Sequence, residues 1–226
     1  MEQGTKNLVC GEPFRKASEN LGVRLSSEAL EQFETYGEGI KAWSARGSLV
    51  SRNDLGVLAE RHFLECLALV PFLPEGPFDL LDLGSGAGLP GIPVKIVRPE
   101  VHVSLLESKR TRTLFLAHIR EVLGLSGLEV IRARAEQACL ERDYRTQFRV
   151  VTARAVAAFP LLWQLAVPFL EPGGELIAFK GLGEFAEVGE SLPEEVIGRE
   201  EVLEIPGAEA GRALVFLKVG GDRMRE

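Results

Sequence analysis

The chain has 226 residues, of which 46% are hydrophobic, and a formal net charge of −7. This length and apolar content can bury a substantial core, and the three cysteines lack the spacing of a disulfide framework or a metal cluster. No apolar run reaches the roughly twenty residues that cross a bilayer, and no secretory segment begins the chain, so we expect a cytoplasmic protein without membrane or metal.

Helical patterns occupy the first third of the chain. Ser26 precedes apolar residues at three-to-four spacing over residues 30–43, which is typical of a capped amphipathic helix. Asn53 or Asp54 can cap a second helix, whose apolar pattern ends at Pro71. We therefore expect a helical amino-terminal segment.

A proline- and glycine-rich linker separates this helical extension, residues 1–76, from an alternating α/β domain, residues 77–226. Apolar runs alternate with helical patterns there, which predicts a doubly wound parallel sheet. The predicted strands are Leu80–Leu83, Val101–Leu106, Leu128–Ile131, Arg149–Thr152 and Glu175–Lys180. A Glu-rich segment and Ala213–Val219 follow, and they predict a final long hairpin with an antiparallel last strand.

The most informative motif follows the first predicted strand, and runs Asp82-Leu83-Gly84-Ser85-Gly86-Ala87-Gly88-Leu89-Pro90-Gly91. Alternating glycines remove the β-carbons that hold a ligand away from the backbone, and they permit a positive-φ turn between strand and helix. The exposed amides of such a loop can bind a ligand. The motif therefore predicts a nucleotide-type cofactor site.

Two cofactors fit this loop. The pattern Gly86-x-Gly88-x-x-Gly91 matches a dinucleotide fingerprint, with Glu107 near the spacing of a ribose-binding acid. Alternatively, Asp82 ends the strand as an acid that can orient the cationic amino-acid part of S-adenosylmethionine and repel a pyrophosphate. We favour S-adenosylmethionine over NAD, and a purely structural glycine turn stays a third alternative.

Ligands of a doubly wound sheet lie over the carboxyl ends of the strands, so the residues after each strand are candidate contacts. After the second strand, Glu107 can accept both ribose hydroxyl protons of an adenosine. After the third, Ala135 and Glu136 can contact adenine, although Glu136 also fits an exposed acid at a helix start. After the fourth, Arg154 stands where the transferred methyl would meet its acceptor.

Two motifs of base methylation are missing from the sequence. There is no Asn-Pro-Pro-aromatic element to hold an exocyclic amino group, and no Pro-Cys pair to supply a nucleophile for carbon-5 methylation. An acceptor that needs little activation is therefore favoured. Guanine N7 is such an atom, because its lone pair is free at neutral pH and alignment with the methyl donor suffices without a general base.

Basic side chains concentrate in the middle of this acidic chain. Residues 95–154 hold 12 basic and 7 acidic side chains, against 8 and 13 before them and 6 and 13 after them. A positive surface near the cofactor loop is what RNA binding at one site requires, although solvated helix faces give similar counts.

These motifs together resemble a known family. The continuation Gly88-Leu89-Pro90-Gly91-Ile92-Pro93, then Leu106-Glu107-Ser108, Arg134-Ala135-Glu136, Arg154-Ala155 and Lys180-Gly181, follow one another as in the glucose-inhibited-division B, or RsmG-type, methyltransferases. The resemblance covers about residues 40–182. It implies a Rossmann-like, class I S-adenosylmethionine-dependent methyltransferase fold, and transfer of methyl to guanine N7 in the decoding-region loop of bacterial 16S rRNA.

The motifs and the resemblance together indicate the site residues. Cofactor contacts are expected at Asp82, Gly84, Gly86, Gly88, Leu89, Glu107, Ser108, Lys109, Ala135, Glu136 and Arg154. RNA contacts are expected at His62, Arg110, Arg112, Arg154 and Lys180. Arg154 is the catalytic candidate, by positioning, because a guanidinium can bind a carboxylate or phosphate in bidentate fashion. The expected partner is 16S rRNA or the small ribosomal subunit, bound by a monomer.

The sequence departs from the family pattern in its helical segment. The family's Trp-Asn and Asn-Leu-Thr are here Trp43-Ser44 and Ser48-Leu49-Val50. Its His-x-x-Asp-Ser-Leu becomes His62-x-x-Glu65-Cys66-Leu67, which keeps the acid but lengthens it. Two other functions stay open: a non-catalytic RNA-binding protein on the same fold, and an NAD-dependent oxidoreductase.

Overall fold

The structure is a computed structural model and describes residues 9–45, 49–188, 192–206 and 211–220. Ser48, one of the departures from the family pattern, lies outside these ranges. The α-helices are α1 (Glu12–Asn20), α2 (Ser27–Ser44), α3 (Leu64–Leu67), α4 (Gly91–Val97), α5 (Arg110–Val122), α6 (Ala135–Ala138), α7 (Phe159–Ala166) and α8 (Glu184–Val188). The strands are β1 (Asp79–Leu83), β2 (His102–Leu106), β3 (Leu128–Ile131), β4 (Phe148–Arg154), β5 (Leu170–Gly181), β6 (Val196–Val202) and β7 (Arg212–Val219).

The strands form a seven-stranded sheet in the order β3-β2-β1-β4-β5-β7-β6. Strands β1 to β5 pair in parallel, whereas β7 is antiparallel to both β5 and β6. This confirms the predicted Rossmann-like α/β fold with an antiparallel last strand. The Glu-rich segment forms the edge strand β6, which the sequence did not assign, because glycine and three charged residues interrupt its few apolar residues and leave no apolar run.

Two strand boundaries differ from the sequence prediction by more than one residue. Strand β4 continues to Arg154, so this residue ends the strand and does not follow it. Strand β5 begins at Leu170 and not at Glu175, and its register with β4 shifts between Phe148 and Val150. The segment Pro172-Gly173-Gly174 is therefore an irregularity within a paired strand.

Side chains alternate between two buried layers on the opposite faces of the sheet. Leu80 and Leu105 belong to the cluster that includes the amino-terminal helices, α4 and α5. Leu81 and Leu106 belong to the other cluster, with α7. Because both faces are covered, the strands are apolar along most of their length, as the continuous runs in the sequence predict.

The amino-terminal helices pack on the first of these faces. Ser26 caps α2 as expected, since its Oγ accepts a hydrogen bond from the backbone N–H of Ala29 at 3.0 Å. Phe33 and Phe63 lie in contact within this layer, with ring centroids 5.3 Å apart. No helix in the described ranges is long and apolar enough to span a membrane.

The second predicted helix is not one continuous α-helix. Its region contains, in chain order, a 3-10 turn (Arg52–Asp54), a π-helical turn (Ala59–Phe63), α3 and a second 3-10 turn (Val70–Phe72). The prediction that Asn53 or Asp54 caps a helix is wrong for this reason. The Asp54 carboxylate instead accepts a hydrogen bond from Arg61 Nη1 at 2.7 Å, and Pro71 lies inside the last turn.

Candidate functional site

The glycine loop lies at the edge of the sheet where the parallel strands β1 to β5 end. Gly84, Gly86 and Gly88 have φ values of +73°, +60° and +95°. These values confirm the positive-φ turn that the alternating glycines predict. The loop connects β1 to the buried helix α4 and leaves Gly84 exposed and Gly86 half-buried.

Three loop amides, those of Gly84, Ser85 and Gly86, are paired within the protein, so they are not the free donors that the sequence predicts. The N–H groups of Gly84 and Ser85 both donate to the carbonyl of Leu106, at 2.8 and 3.0 Å. The N–H of Gly86 donates to Glu107 Oε2 at 3.1 Å. Among the described residues, the carbonyl oxygens of Gly84 and Gly86 accept no hydrogen bond. The loop therefore offers acceptors and suits a donor or a cation.

Asp82 lies under the loop and is fully buried. Its Oδ2 accepts a hydrogen bond from the first amide of α4, that of Gly91, at 3.0 Å. Its Oδ1 is buried without a hydrogen-bond partner in the described structure. Burial raises the pKa of Asp82 from 3.8 to about 7, against the lowering effect of the Gly91 bond and of Arg154. A cation bound above it would lower that pKa again.

Tyr36 of α2 holds the loop from the helical layer. Its hydroxyl donates to the carbonyl of Ala87 at 2.6 Å, although the two residues are 51 positions apart. The side chain is fully buried, and its ring stacks on Phe63 with centroids 5.2 Å apart. Burial raises the pKa of Tyr36 well above its usual value, so the hydroxyl stays a donor. The sequence analysis missed this residue, because no local motif marks it.

The Glu107 carboxylate is buried behind the loop and already has several donors. Oε1 accepts from the N–H of Lys109 at 2.8 Å, and Oε2 accepts from Gly86 N–H. Arg112 Nη1 also lies 3.3 Å from Oε2. Arg112, which the sequence predicts to contact RNA, is half-buried against the Glu107 carboxylate. A ribose bound by Glu107 would compete with Arg112 for that carboxylate.

A cavity of about 470 Å³ opens beyond the ends of β2 and β3. It is lined by Ser108, Lys109, Arg132, Ala133, Arg134 and Gln137. Of the residues expected at the adenine, Ala135 and Glu136 do not line it. Ala135 begins α6 and Glu136 is exposed on its first turn. Its lining begins at Ser108, the residue after Glu107, whose carboxylate accepts a hydrogen bond from Gly86 of the glycine loop.

Arg154, at the end of β4, joins a buried cluster of charged side chains. Its Nη1 donates to Glu65 Oε2 at 2.8 Å and to His62 Nδ1 at 3.1 Å. Glu65 Oε1 lies 3.4 Å from Arg212 Nε, and His62 Nε2 lies 3.3 Å from Asp54 Oδ2. The cluster connects the helical layer with β4 and β7. The sequence predicted His62 and Arg154 as site residues, but it did not predict that Asp54, Glu65 and Arg212 join them.

The His62 ring is an acceptor in this cluster. Burial, and then the positive charge of Arg154, lower the pKa of His62, while nearby carboxylates oppose the shift. The neutral form with its proton on Nε2 leaves Nδ1 free to accept from Arg154, so this tautomer is assigned from the hydrogen-bond network.

Three other residues that the sequence predicts to contact the RNA or the cofactor lie outside the Arg154 cluster. Lys180 Nζ donates to the carbonyl of Ala157 at 2.8 Å and lies 4.6 Å from the centroid of the Phe159 ring, so it holds the loop after β4. Leu89 is buried in the core below the glycine loop. Arg110 is exposed at the first position of α5.

No group of three or more potential metal ligands occurs in the described part of the chain.

Comparisons with known proteins agree with this architecture. The family rRNA small subunit methyltransferase G (GidB) matches residues 29–215. The chain belongs to this family. A ribosomal RNA small subunit methyltransferase G of Roseiflexus castenholzii is 41% identical over 204 residues, covering 88% of this chain and 87% of the relative. The protein of the same name from Acetivibrio thermocellus is 35% identical over 211 residues, covering 93% and 84%.

A solved structure supports the fold. The precorrin-6Y C5,15-methyltransferase of Geobacter metallireducens superposes with a TM-score of 0.53 at 12% identity, covering 77% of this chain and 92% of that one. The chain is therefore a methyltransferase with a class I, Rossmann-like fold, and membership of the family favours this activity over the two alternatives that the sequence left open.

Proposed function

We propose that this protein transfers a methyl group from S-adenosylmethionine to N7 of guanine-527 in 16S rRNA. Two relatives that cover most of the chain are named as methyltransferases of small-subunit ribosomal RNA. The guanine and its N7 are what the resemblance to the family implies, and the absence of the motifs that activate other base atoms is consistent with that acceptor.

The hydrogen-bond acceptors at the glycine loop are the main support for S-adenosylmethionine as the cofactor. The carbonyls of Gly84 and Gly86 and the unpaired Oδ1 of Asp82 would hold an ammonium, and they would repel a pyrophosphate. Glu107 would hold the ribose, and the cavity beside Ser108 and Lys109 would take the adenine. When bound, S-adenosylmethionine supplies an electrophilic methyl group.

The remaining residues act on the acceptor by position. Guanine N7 needs no proton removed, so alignment of its lone pair with the methyl group accounts for most of the catalysis. Arg154 would orient the base or its phosphate through the parts of the guanidinium that Glu65 and His62 leave free. Neutral His62 is an acceptor for Arg154 and is not required as a base.

Exposed basic residues near the cavity would attract the RNA. Lys109, Arg110, Arg132 and Arg134 are all exposed around the ends of β2 and β3. We propose that residues 1–76 are an extension of the methyltransferase domain, since Tyr36 and Glu65 come from it, and that a monomer acts in the cytoplasm on 16S rRNA or the small subunit.

Two measurements test the proposal. Calorimetry should show binding of S-adenosylhomocysteine and none of NAD. Small subunits from a strain that lacks the gene should gain one methyl group on guanine-527 when they are incubated with the protein and S-adenosylmethionine, as mapped by mass spectrometry. Methylation at another base, or preferential binding of NAD, would reject the assignment.

A further inference from the structure

The shortest contact made by Arg154 is with Glu65, which the sequence marked only as a departure from the family pattern. Glu65 is 6% exposed and lies in α3, 89 positions before Arg154. Its two oxygens divide their contacts between two arginines. Oε2 accepts from Arg154 Nη1 at 2.8 Å, and Oε1 lies 3.4 Å from Arg212 Nε.

The two arginines differ in how free they are to move. The Arg154 side chain is 16% exposed, whereas that of Arg212 is 50% exposed. A buried carboxylate between them neutralises the more buried cation and fixes the direction of its guanidinium. Among the described residues, Arg154 makes side-chain contacts with Glu65 and with His62, and both are made by Nη1. Nη2 and Nε therefore stay available to a ligand.

We propose that Glu65 is a positioning residue for methyl transfer, which acts by holding Arg154 towards the acceptor. The inference rests on the proposed function. Arg212, in β7, forms an ion pair with Glu65, so β7 also contributes a residue to the site. A planar guanidinium restrained on one amino group presents its remaining donors in a fixed geometry, and less conformational freedom is lost when the RNA binds.

Two substitutions at Glu65 separate the charge of the side chain from its length. A glutamate at position 65 reaches both arginines from a short helix. Glu65→Asp shortens the carboxylate by one methylene, and Glu65→Gln keeps the length but removes the charge. If charge holds Arg154, Glu65→Asp keeps part of the activity and Glu65→Gln does not.

A double-mutant cycle tests the proposal. We would measure kcat and KM for methylation of small subunits, and the dissociation constant of S-adenosylhomocysteine, for the parent, Glu65→Gln, Arg154→Gln and the double variant. We expect Glu65→Gln to lower kcat by about 10-fold or more, as for loss of a charge-assisted hydrogen bond, and to change cofactor affinity by less than about 3-fold. In the Arg154→Gln background, the same substitution should have little further effect.

A control removes a glutamate–arginine pair that lies away from the Arg154 end of β4 and is more exposed. Glu175 Oε1 lies 2.9 Å from Arg199 Nη1, between β5 and β6. Glu175→Gln should leave kcat unchanged. All assays are run well below the melting temperature of each variant, so that loss of stability alone does not lower kcat.

Three outcomes would overturn the inference: a kcat for Glu65→Gln equal to that of the parent, effects of the two substitutions that multiply in the double variant, or an equal loss for Glu175→Gln. Failure of the proposed function is distinguishable from all three, because the parent protein itself would then leave the small subunit unmethylated.

Discussion

Gly84 and Gly76 provide a matched pair for testing the cofactor loop. Both have φ of +73°, so an alanine at either position meets the same backbone strain, about 1–2 kcal/mol. A β-carbon at Gly76 would meet nothing within 4 Å, whereas one at Gly84 would lie 2.9 Å from Val156 Cγ2. Val156 follows the end of β4, so the loop and the Arg154 segment would have to separate.

The expected cost follows from that contact. Overpacking of this kind costs about 1–3 kcal/mol, in addition to the strain that the two alanine variants share. Gly84→Ala should therefore have a free energy of unfolding about 1–3 kcal/mol lower than that of Gly76→Ala. Its affinity for S-adenosylhomocysteine should fall, while that of Gly76→Ala should match the parent.

Urea unfolding measures the first quantity, and calorimetry at a temperature where all three proteins are folded measures the second. If the two variants lose equal stability and bind the cofactor equally well, then neither the contact with Val156 nor the place of Gly84 in the cofactor site is correct.

Three further predictions concern the loop and its supports. Tyr36→Phe should lower the free energy of unfolding by about 1–3 kcal/mol, because the buried carbonyl of Ala87 loses its donor, and cofactor affinity should fall with it. Arg112→Ala should raise the affinity for S-adenosylhomocysteine by up to about five-fold, because the ion pair between Arg112 and Glu107, worth about 0.2–1 kcal/mol, no longer competes with the ribose. For Asp82, the folded-state pKa of about 7 is above the ordinary 3.8, so the unfolded chain releases this proton first and stability falls as pH rises between those values. Asp82→Asn should remove that decline, which is at most about 4 kcal/mol in the free energy of unfolding measured by urea titration across this range.

The Tyr36 prediction has a matched control, and each of the other two has an outcome that would contradict it. Tyr144, whose hydroxyl lies 3.3 Å from Glu129 on the surface, provides Tyr144→Phe, which should leave both stability and cofactor affinity near the parent values. Equal losses for the two tyrosine variants would contradict the anchoring role of Tyr36. A weaker affinity in Arg112→Ala would show that Arg112 contacts the cofactor, and a pH dependence in Asp82→Asn equal to that of the parent would show that Asp82 ionises normally.

Much of the fold could be predicted from short stretches of sequence. Parallel strands buried on both faces give continuous apolar runs, and the glycine loop combines a strand end, a positive-φ turn and a helix start within ten residues. The edge strand β6 could not be recognised in the same way, because no part of it is fully buried and its few apolar residues are separated by glycine and charged residues.

Local sequence also determined that Asp82 and Glu107 lie at the loop, since Asp82 is the last residue but one of β1 and Glu107 directly follows β2. Only the tertiary structure decided how they are used. The loop amides turned out to be paired with Leu106 and Glu107, so the free groups are acceptors and not donors. The hydrogen-bond partners of a backbone group depend on the neighbouring strand, which no motif in the loop describes.

The sequence by itself determined the family, the class of fold and the loop that would hold the cofactor, because these are encoded by residues adjacent in the chain. Tertiary structure alone brought Tyr36 to Ala87 across 51 positions, and Glu65 to Arg154 across 89. The physical reason is that such contacts are made by packing the helical layer against the strand ends, and side chains so distant in sequence share no spacing that a pattern could reveal.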